Sequence, residues 1–296
     1  MNEYFPDWVK KVALFTPCGF MEESDFLNAK IFLESLGLEV LAVYGSQDFN
    51  RGGTDQGRFE TLKHLWNETD VQLLIAARGG YGAVRLLEYF EEFKSFLKND
   101  KILVGHSDLS VFHLLFDKFS VGRTASGMLG GIEMLKSYDA FSWASLRASL
   151  DLDKSFNFLD QQKLELRKVG SCSGKIYPVT LSVLTYLLHL EDLPSFDNVI
   201  LFLEDVNEPA YKIDCFMWQL KSKGILGQIS ALVWGDFSGV DDEEYLESVI
   251  VEYSALVDGP VVSGSSFGHQ HPRLNLPVGE RMNLVLNEQG KSLHLC

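Results

Sequence analysis

Ser107 occupies a position that suits a nucleophile. It lies in LVGHSDLSVFHLL, residues 103–115, where an apolar run typical of a buried strand turns directly into a helical pattern. A serine on such a strand-to-helix turn holds its hydroxyl clear of the sheet, where it can attack a carbonyl carbon. Leu109 stands where the GxSxG pattern has its second glycine, so this stretch alone is equally explained by Ser107 or Asp108 as the N-cap of the helix.

A second strand-to-helix turn carries paired glycines. In ARGGYGAVRLL, residues 77–87, Gly79 and Gly80 follow an apolar run. Glycines let the backbone approach a ligand closely and aim N–H groups at negative charge, which suits an oxyanion hole or a phosphate. The GxxxxGK[ST] phosphate pattern is absent, and a plain tight turn explains the glycines as well. Because parallel strands end at one edge of a sheet, we expect both glycines and Ser107 to share one crevice.

Two later stretches supply an acid and a base. VILFLEDVNEP ends an apolar run at Glu204 and Asp205, and a carboxylate there is costly to bury unless it has a fixed partner such as an imidazole. Two solvated acids that begin a loop are the alternative. SGSSFGHQHPRLNLPVG, residues 263–279, carries His269 and His271. No HExxH pattern or Cys/His group accompanies them, which favours a general base over a metal ligand.

Composition limits the class of protein and its partners. A chain of 296 residues with 46% hydrophobic and 23% charged residues predicts a soluble globular protein. The 41 acidic against 26 basic residues give a formal charge of −15, which argues against nucleic acid as a partner. Four scattered cysteines without CxxC spacing predict free thiols. With no signal-peptide pattern and no apolar run of 18 residues, we expect a cytoplasmic protein that does not enter a membrane.

The elements that must position these residues predict an α/β fold. Up to about residue 150, the runs VALFTP, LEVLAVY, VQLLIAA and KILVG alternate with amphipathic stretches such as SDFLNAKIFLESLG and GAVRLLEYFEEFKSFL. That alternation is typical of βαβ units with a mostly parallel sheet. Because residues 151–167 are polar and aperiodic, we predict an N-terminal domain over 1–150 and a C-terminal domain over 168–296. In the second half we predict strands at NVILFLED and ALVWGDF and helices at PVTLSVLTYLLHL, YKIDCFMWQLKSKG and DEEYLESVIVEYSALV.

Together these motifs resemble the LD-carboxypeptidases, the S66 family of serine peptidases, which includes the microcin C immunity peptidases. The matching motifs, in order, are TPCG, ARGGYG, GHSD, LFLEDVNE with YKID, GDF and FGHQHPRLNLPVG. The resemblance implies a catalytic set of Ser107, Glu204 and His269, and an oxyanion hole made by the backbone N–H groups of Gly80 and Asp108. It also implies a Rossmann-like N-terminal domain that carries the serine and a smaller mixed α/β C-terminal domain that carries the glutamate and histidine.

The activity that the resemblance implies is hydrolysis of an amide bond at the C-terminus of a small peptide, such as a murein tetrapeptide in cell-wall recycling. It implies no metal and no cofactor, and it makes a homodimer the expected assembly. Cleavage of an amide that joins a peptide or amino acid to a nucleotide is the first alternative. A catalytically reduced binding relative is the second, and an α/β protein that binds nucleotide or sugar phosphate at the ARGGYG turn ranks last. Arg78, Arg123 or Arg273 is expected to bind the substrate carboxylate.

Three stretches depart from the family's pattern. RTASGMLGG, Arg123–Gly131, stands where a His-Gly-Pro stretch is common. SGKIYPVT, Ser173–Thr180, stands where a Gly-Gly-Asn turn is usual, and Cys215 replaces an arginine after the YxID motif. Each lies near the expected cleft or domain interface, so the reaction type is a firmer expectation than the substrate.

Overall fold

Two β-sheets organise the computed structural model, which describes residues 4–93, 101–136, 139–191 and 193–296. The strands, in chain order, are β1 (Lys11–Phe15), β2 (Glu39–Val43), β3 (Leu73–Ala76), β4 (Ile102–Gly105), β5 (Arg123–Ser126), β6 (Glu165–Lys168), β7 (Gly170–Thr180), β8 (Val199–Glu204), β9 (Ala231–Trp234), β10 (Val261–Ser263), β11 (Leu276–Pro277), β12 (Arg281–Asn287) and β13 (Gly290–Leu295).

The first sheet is doubly wound and has the order β11-β5-β4-β3-β1-β2. Strands β1 to β5 are parallel to one another. Every residue of β3 and β4 is buried, as expected for strands that helices cover on both faces. The strand order reverses between β1 and β3, and ligand crevices open at such reversals, beyond the carboxyl ends of the strands. The TPCG and ARGGYG turns follow these two strands, so they lie at this crevice.

Helices lie at each of the stretches named above, with two differences in how they start, and three further helices, over 55–67, 133–136 and 140–151, were not predicted. The helix bounds are α1 (Glu23–Ser35), α2 (Asp55–Asn67), α3 (Phe90–Phe93), α4 (Ser110–Phe119), α5 (Glu133–Lys136), α6 (Ala140–Asp151), α7 (Leu181–Leu187), α8 (Ala210–Ser222) and α9 (Glu243–Ser254). The helix predicted over GAVRLLEYFEEFKSFL starts as a 3-10 helix, Ala83–Tyr89, before α3, and its last four residues lie outside the described ranges. The helix predicted at PVTLSVLTYLLHL starts three residues late, because its first three residues complete β7.

The second sheet is mixed, in the order β13-β12-β7-β8-β9-β10-β6. Its centre, β7 to β10, is parallel, and β6, β12 and β13 pair in antiparallel fashion. Strand β12 alternates exposed and buried residues, which marks a strand with one solvated face. The predicted fold class, a mostly parallel α/β sheet followed by a mixed α/β half, is confirmed.

Two connections between the halves were not predicted. Strand β11 leaves the C-terminal half and adds an antiparallel edge strand to the first sheet, beside β5. Strand β6 begins at Glu165, inside the stretch that the sequence marked as aperiodic. The proposed division into domains at 1–150 and 168–296 stays a prediction. Strand β11 belongs to the second range in sequence but to the first sheet in space.

Helix α4 holds the two halves together below the crevice. At its C-terminal end, Asp117 accepts hydrogen bonds from Lys175 Nζ at 2.9 Å and from the Tyr177 hydroxyl at 2.6 Å, both on β7. At its start, the Ser110 hydroxyl accepts one from the Thr180 N–H at 3.0 Å. Apolar side chains of both halves form one core between these contacts. No helix in the described part of the chain combines the length and apolar character needed to cross a bilayer.

Candidate active site

The serine turn is strained at the residue expected to react. Ser107 follows β4 and has a φ of 62°, in the left-handed region that non-glycine residues rarely adopt. Such a conformation costs on the order of 1–3 kcal/mol and is concentrated at functional sites. A helix N-cap normally has extended backbone, so an ordinary capping role does not explain this residue. The chain passes from Ser107 through a short 3-10 turn, Ser107–Leu109, into α4.

The glycine turn lies against this serine, as the strand order predicts. A Cβ atom built on Gly79 would come 3.0 Å from Ser107 Cβ and 3.3 Å from its hydroxyl oxygen. Gly80 has a φ of 101°, and the Gly19 N–H of the TPCG turn braces the same loop by donating to Gly79 O at 2.8 Å. The glycine turn and the serine turn approach so closely that any side chain at position 79 would crowd Ser107.

The two backbone N–H groups that are predicted to form the oxyanion hole lie in these two turns. Gly80 N–H belongs to the glycine turn, and Asp108 N–H follows the serine directly. In the described ranges neither N–H donates to a protein acceptor. Free N–H groups beside a nucleophile can stabilise the oxygen anion of a tetrahedral intermediate.

The Asp108 carboxylate has a separate role that the sequence did not reveal. It is buried, and its Oδ2 accepts a hydrogen bond from the Ala83 N–H at 2.7 Å. It therefore ties the serine turn to the 3-10 helix after the glycine turn. Burial raises the pKa of Asp108 to about 6, although the bonds from Ala83 and from the Cys18 thiol oppose that rise.

Glu204 and His269, which the resemblance places in one catalytic set, are hydrogen-bonded to each other. Glu204 ends β8 with 0% exposure, and its Oε2 lies 2.7 Å from His269 Nδ1. The Thr180 hydroxyl, at the end of β7, donates to the other carboxylate oxygen. Burial opposes the charge on both members of the pair, yet the bonds from His269 and Thr180 hold the pKa of Glu204 low. The carboxylate in turn raises the pKa of His269.

The two halves meet where this pair approaches the serine turn. The rings of His269 and His106, the residue before Ser107, lie edge to face with centroids 4.7 Å apart and planes at 71°. The Ser107 hydroxyl makes no hydrogen bond to His269 in the described ranges, so proton transfer requires a rotation of the serine side chain or a closer approach of the ring. Catalytic hydrogen bonds are often long without substrate.

His106 also belongs to a second His–carboxylate pair that the sequence did not reveal. Its Nε2 lies 2.6 Å from Glu133 Oε1, and Glu133 Oε2 accepts the Leu129 N–H at 2.8 Å. Burial and the nearby Arg273 lower the pKa of His106 to about 4. Burial opposes the charge on Glu133, but His106 and Arg273 lower the pKa of this acid to about 2. At neutral pH the pair is therefore a neutral imidazole and a carboxylate.

One cluster of potential metal ligands lies in the described ranges, at this same place. One ligand atom from each of His106, Glu204 and His269 lies within 4.8 Å of the other two. The pair Glu204 and His269 already shares a hydrogen bond, and the buried Arg273 guanidinium acts on both histidines. Because this positive charge repels a cation, the cluster suits proton transfer better, and we assign no metal to it.

The three arginines considered for substrate binding differ in position. Arg78 is exposed on the glycine turn, where its guanidinium donates to Phe20 O. Arg123 is the first residue of β5. It lies at the amino end of that strand, opposite the crevice, and donates to the Leu150 carbonyl at 3.1 Å. Arg273 is 1% exposed, and its Nε and Nη1 atoms have no partner among the described residues. Only Arg78 is therefore both exposed and beside the serine turn.

The stretches that depart from the family pattern fall in different places. In Arg123–Gly131, the N–H groups of Gly130 and Gly131 donate to the carbonyl groups of Ala76 and Ala77, so this stretch packs on the start of the glycine turn. The stretch Ser173–Thr180 is most of β7, and its last residue supports Glu204. Cys215 is exposed on α8. The first two departures therefore touch the site.

A cleft of about 830 Å³ opens beside the histidine loop. Its lining mixes polar and apolar side chains and comes partly from the loops that follow β9 and β10, including Asp236, Ser265 and Gln270. The rest comes from α6, α9 and residues 161–163. Gln270 donates to Asp236 Oδ1 at 2.7 Å, and Gly268 packs against Asp236, so this GDF aspartate supports the loop that carries His269.

Fold and site together define a two-part α/β protein whose reactive groups meet between its halves. The family model of the LD-carboxypeptidase N-terminal domain matches residues 12–127, and that of the LD-carboxypeptidase C-terminal domain matches residues 173–284. The chain belongs to the LD-carboxypeptidase family.

Known relatives agree with this assignment. A putative carboxypeptidase of Synechocystis sp. is 30% identical over 93% of this chain and 91% of its own length. The microcin C7 self-immunity protein of Escherichia coli is 23% identical over 94% of this chain and 90% of its own. The crystal structure of muramoyltetrapeptide carboxypeptidase from Oxalobacter formigenes superimposes with a TM-score of 0.82 at 26% identity, covering 97% of this chain and 98% of that one.

Proposed function

We propose that the protein is a serine-type carboxypeptidase that hydrolyses the amide bond before the C-terminal residue of a small peptide such as a murein tetrapeptide. The observation that carries this proposal is the Glu204–His269 hydrogen bond of 2.7 Å, held against the residue that precedes Ser107. A serine in left-handed backbone next to such a pair supports nucleophilic catalysis, in which the serine side chain rotates to bond His269.

The proposed reaction uses a nucleophile, a general base, an acid that orients the base, and two backbone N–H groups. His269 takes the Ser107 proton as the serine oxygen attacks the carbonyl carbon, and the N–H groups of Gly80 and Asp108 stabilise the resulting oxyanion. The C–N bond breaks as His269 gives that proton to the leaving amine. A water molecule, deprotonated by His269, then attacks the acyl carbon, and the bond to the serine oxygen breaks as His269 returns that proton to Ser107. Glu204 holds the imidazole in one tautomer and stabilises its protonated form.

The proposed substrate follows from the charges near the serine and from a named relative. The terminal carboxylate of a peptide needs a positive group in a protein of charge −15, and Arg78 is exposed on the glycine turn. The Oxalobacter relative, named a muramoyltetrapeptide carboxypeptidase, supports a murein peptide as the first choice.

An amide that joins a peptide or amino acid to a nucleotide is the second candidate substrate. Similarity to the microcin C7 self-immunity protein favours it. Mass spectrometry of products from a murein tetrapeptide and an aminoacyl-nucleotide, each incubated with the purified protein, separates the two. We expect loss of the terminal alanine from the tetrapeptide, and no such loss with Ser107→Ala. Cleavage of the nucleotide conjugate alone would replace the first proposal with the second.

We further propose that the enzyme acts in the cytoplasm, as a homodimer, on peptides that return from the cell wall. Light scattering of the purified protein tests the assembly. A mass near twice the 33.3 kDa of one chain supports the dimer, and a mass near 33.3 kDa rejects it.

A further inference from the structure

The proposed catalytic pair is mirrored by the second His–carboxylate pair. His269 bonds to Glu204 on one side of the site, and His106 bonds to Glu133 on the other. The two imidazole rings meet edge to face between the carboxylates. His106 is 1% exposed, and it is also the residue whose backbone continues into Ser107.

The second pair is anchored to the other parts of the site. Glu133 starts α5, and its second oxygen accepts the Leu129 N–H at 2.8 Å. The neighbouring glycines, Gly130 and Gly131, donate to the ends of β3, where the glycine turn begins. Glu133 therefore links the serine turn, through His106, to the segment that supports the oxyanion loop.

Several charged or titratable groups act on His269 from the elements around it. They are Glu204 from β8, Glu133 from α5, His106 from the serine turn, Arg273 from the following loop and Asp236 from the loop after β9. Glu133 and Glu204 favour the imidazolium, whereas Arg273 opposes it. The charge that His269 gains when it takes the serine proton is thus balanced by two carboxylates, only one of which it touches.

We propose that His106 and Glu133 are positioning residues, a second His–carboxylate pair that fixes the His269 ring relative to Ser107 and shares in balancing its charge. This inference rests on the proposed serine peptidase function. Glu133 Oε1 accepts from His106 Nε2–H, and burial of the ring keeps it neutral at pH 7 although the carboxylate opposes this, so the ring is fixed in one tautomer. A fixed, neutral ring against His269 restricts its rotation without adding positive charge.

The test is Glu133→Gln, which keeps the size and a hydrogen-bond acceptor but removes the charge. We expect kcat for the tetrapeptide to fall roughly ten- to hundred-fold, as for other small displacements of reacting groups, with little change in KM. Loss of a negative charge near His269 lowers its pKa, so the acid limb of the kcat/KM profile moves down by about one pH unit. A folded Glu133→Gln enzyme with the wild-type kcat and acid limb would overturn the proposal.

A double-mutant cycle tests whether the two residues act as a unit. If they do, His106→Phe, Glu133→Gln and the double variant lose similar activity, whereas independent residues would show multiplied losses and contradict the proposal. Asp117→Asn is the matched control, since it neutralises a partly buried carboxylate that joins the halves at the C-terminal end of α4, away from His269. This control is expected to lower stability without moving the acid limb.

An NMR titration separates failure of this inference from failure of the proposed function. The His269 ring Cε1–H signal reports its pKa whether or not the protein hydrolyses any peptide. If the wild type is inactive, a lower His269 pKa in Glu133→Gln still supports the coupling. If the wild type is active and this pKa is the same in both proteins, the positioning pair is rejected while the peptidase stands.

Discussion

His269 Nδ1 lies 2.7 Å from Glu204 Oε2, although 65 positions of sequence separate these residues. Glu204 ends a fully buried strand, where an unpaired carboxylate would be too costly to ionise. The imidazole and the Thr180 hydroxyl make that charge tolerable, and the charge makes the imidazole a stronger base. Stability and the proposed chemistry therefore depend on the same contact.

Glu204→Gln is expected to lower kcat on the order of ten-thousand-fold, as loss of the acid does in other triads, because the amide no longer fixes the His269 tautomer. The substitution also removes the charge that raises the pKa of His269. Steady-state kinetics from pH 5 to 9 measure both effects. Unchanged turnover in a folded variant would rule out Glu204 as the triad acid.

The pH dependence of the wild type follows from the raised pKa of His269. The general base must be neutral, so kcat/KM falls as pH drops through this pKa. Because the shift is upward, the acid limb is expected above the usual histidine value of 6.5. An acid limb centred below that value would show that another group is the base.

Ser107→Gly is expected to raise stability while it abolishes turnover. Glycine adopts a positive φ without steric cost, so the change relieves the strain at 62°. We expect a gain of about 1 kcal/mol in the free energy of unfolding. Denaturant titration measures it, with Ser107→Ala, which retains the strain, as the matched control. Equal stability of the two variants would mean that the serine turn stores no strain.

Gly79→Ala is expected to displace the nucleophile. The added methyl group would lie 3.0 Å from Ser107 Cβ, closer than side chains pack. Because a displacement of this kind costs on the order of a hundred-fold, kcat is expected to fall by about that factor. Gly227→Ala is the control, since nothing lies within 4 Å of its added Cβ. Similar kinetics for both variants would contradict the packing described here.

Asp108→Asn is expected to make stability less dependent on pH. Burial raises the pKa of Asp108 to about 6, above its usual 3.8, so ionisation destabilises the folded state as pH rises through that interval. The amide cannot ionise and can still accept from Ala83. Above pH 7 we expect the variant to be more stable than the wild type by about 3 kcal/mol, with most of the difference lost near pH 4. Thermal unfolding at both pH values checks this, and a constant difference would contradict it.

The sequence predicted the parts of the site that lie at the ends of strands. Apolar runs that stop at Ser107, Gly79 and Glu204 identify strand ends, and parallel strands bring such ends to one edge. The proximity of Gly79 and Ser107 follows from this rule, because β3 and β4 are neighbours in one sheet. Glu204 ends a strand of the other sheet, so only the resemblance to a family placed it with Ser107. The His269 loop has no periodicity. Its residues favoured a general base there, and only the resemblance to a family chose His269 over His271.

The parts that the sequence did not predict depend on contacts between irregular segments. Glu133 reaches His106 only because the loop after β5 folds back on the glycine turn. Strand β11 has two residues, one of them proline, and so carries no detectable alternation. The Asp108 carboxylate accepts from a 3-10 helix where an α-helix was predicted. In each case the tertiary partner, not the local pattern, determines the structure.

The central claim is tested most directly by labelling with a fluorophosphonate, which reacts with an activated serine, followed by peptide mass spectrometry. The account predicts one adduct, on Ser107, that forms at a rate reduced by orders of magnitude in His269→Ala. An unlabelled Ser107 in the folded wild type, or equally fast labelling in His269→Ala, would contradict it.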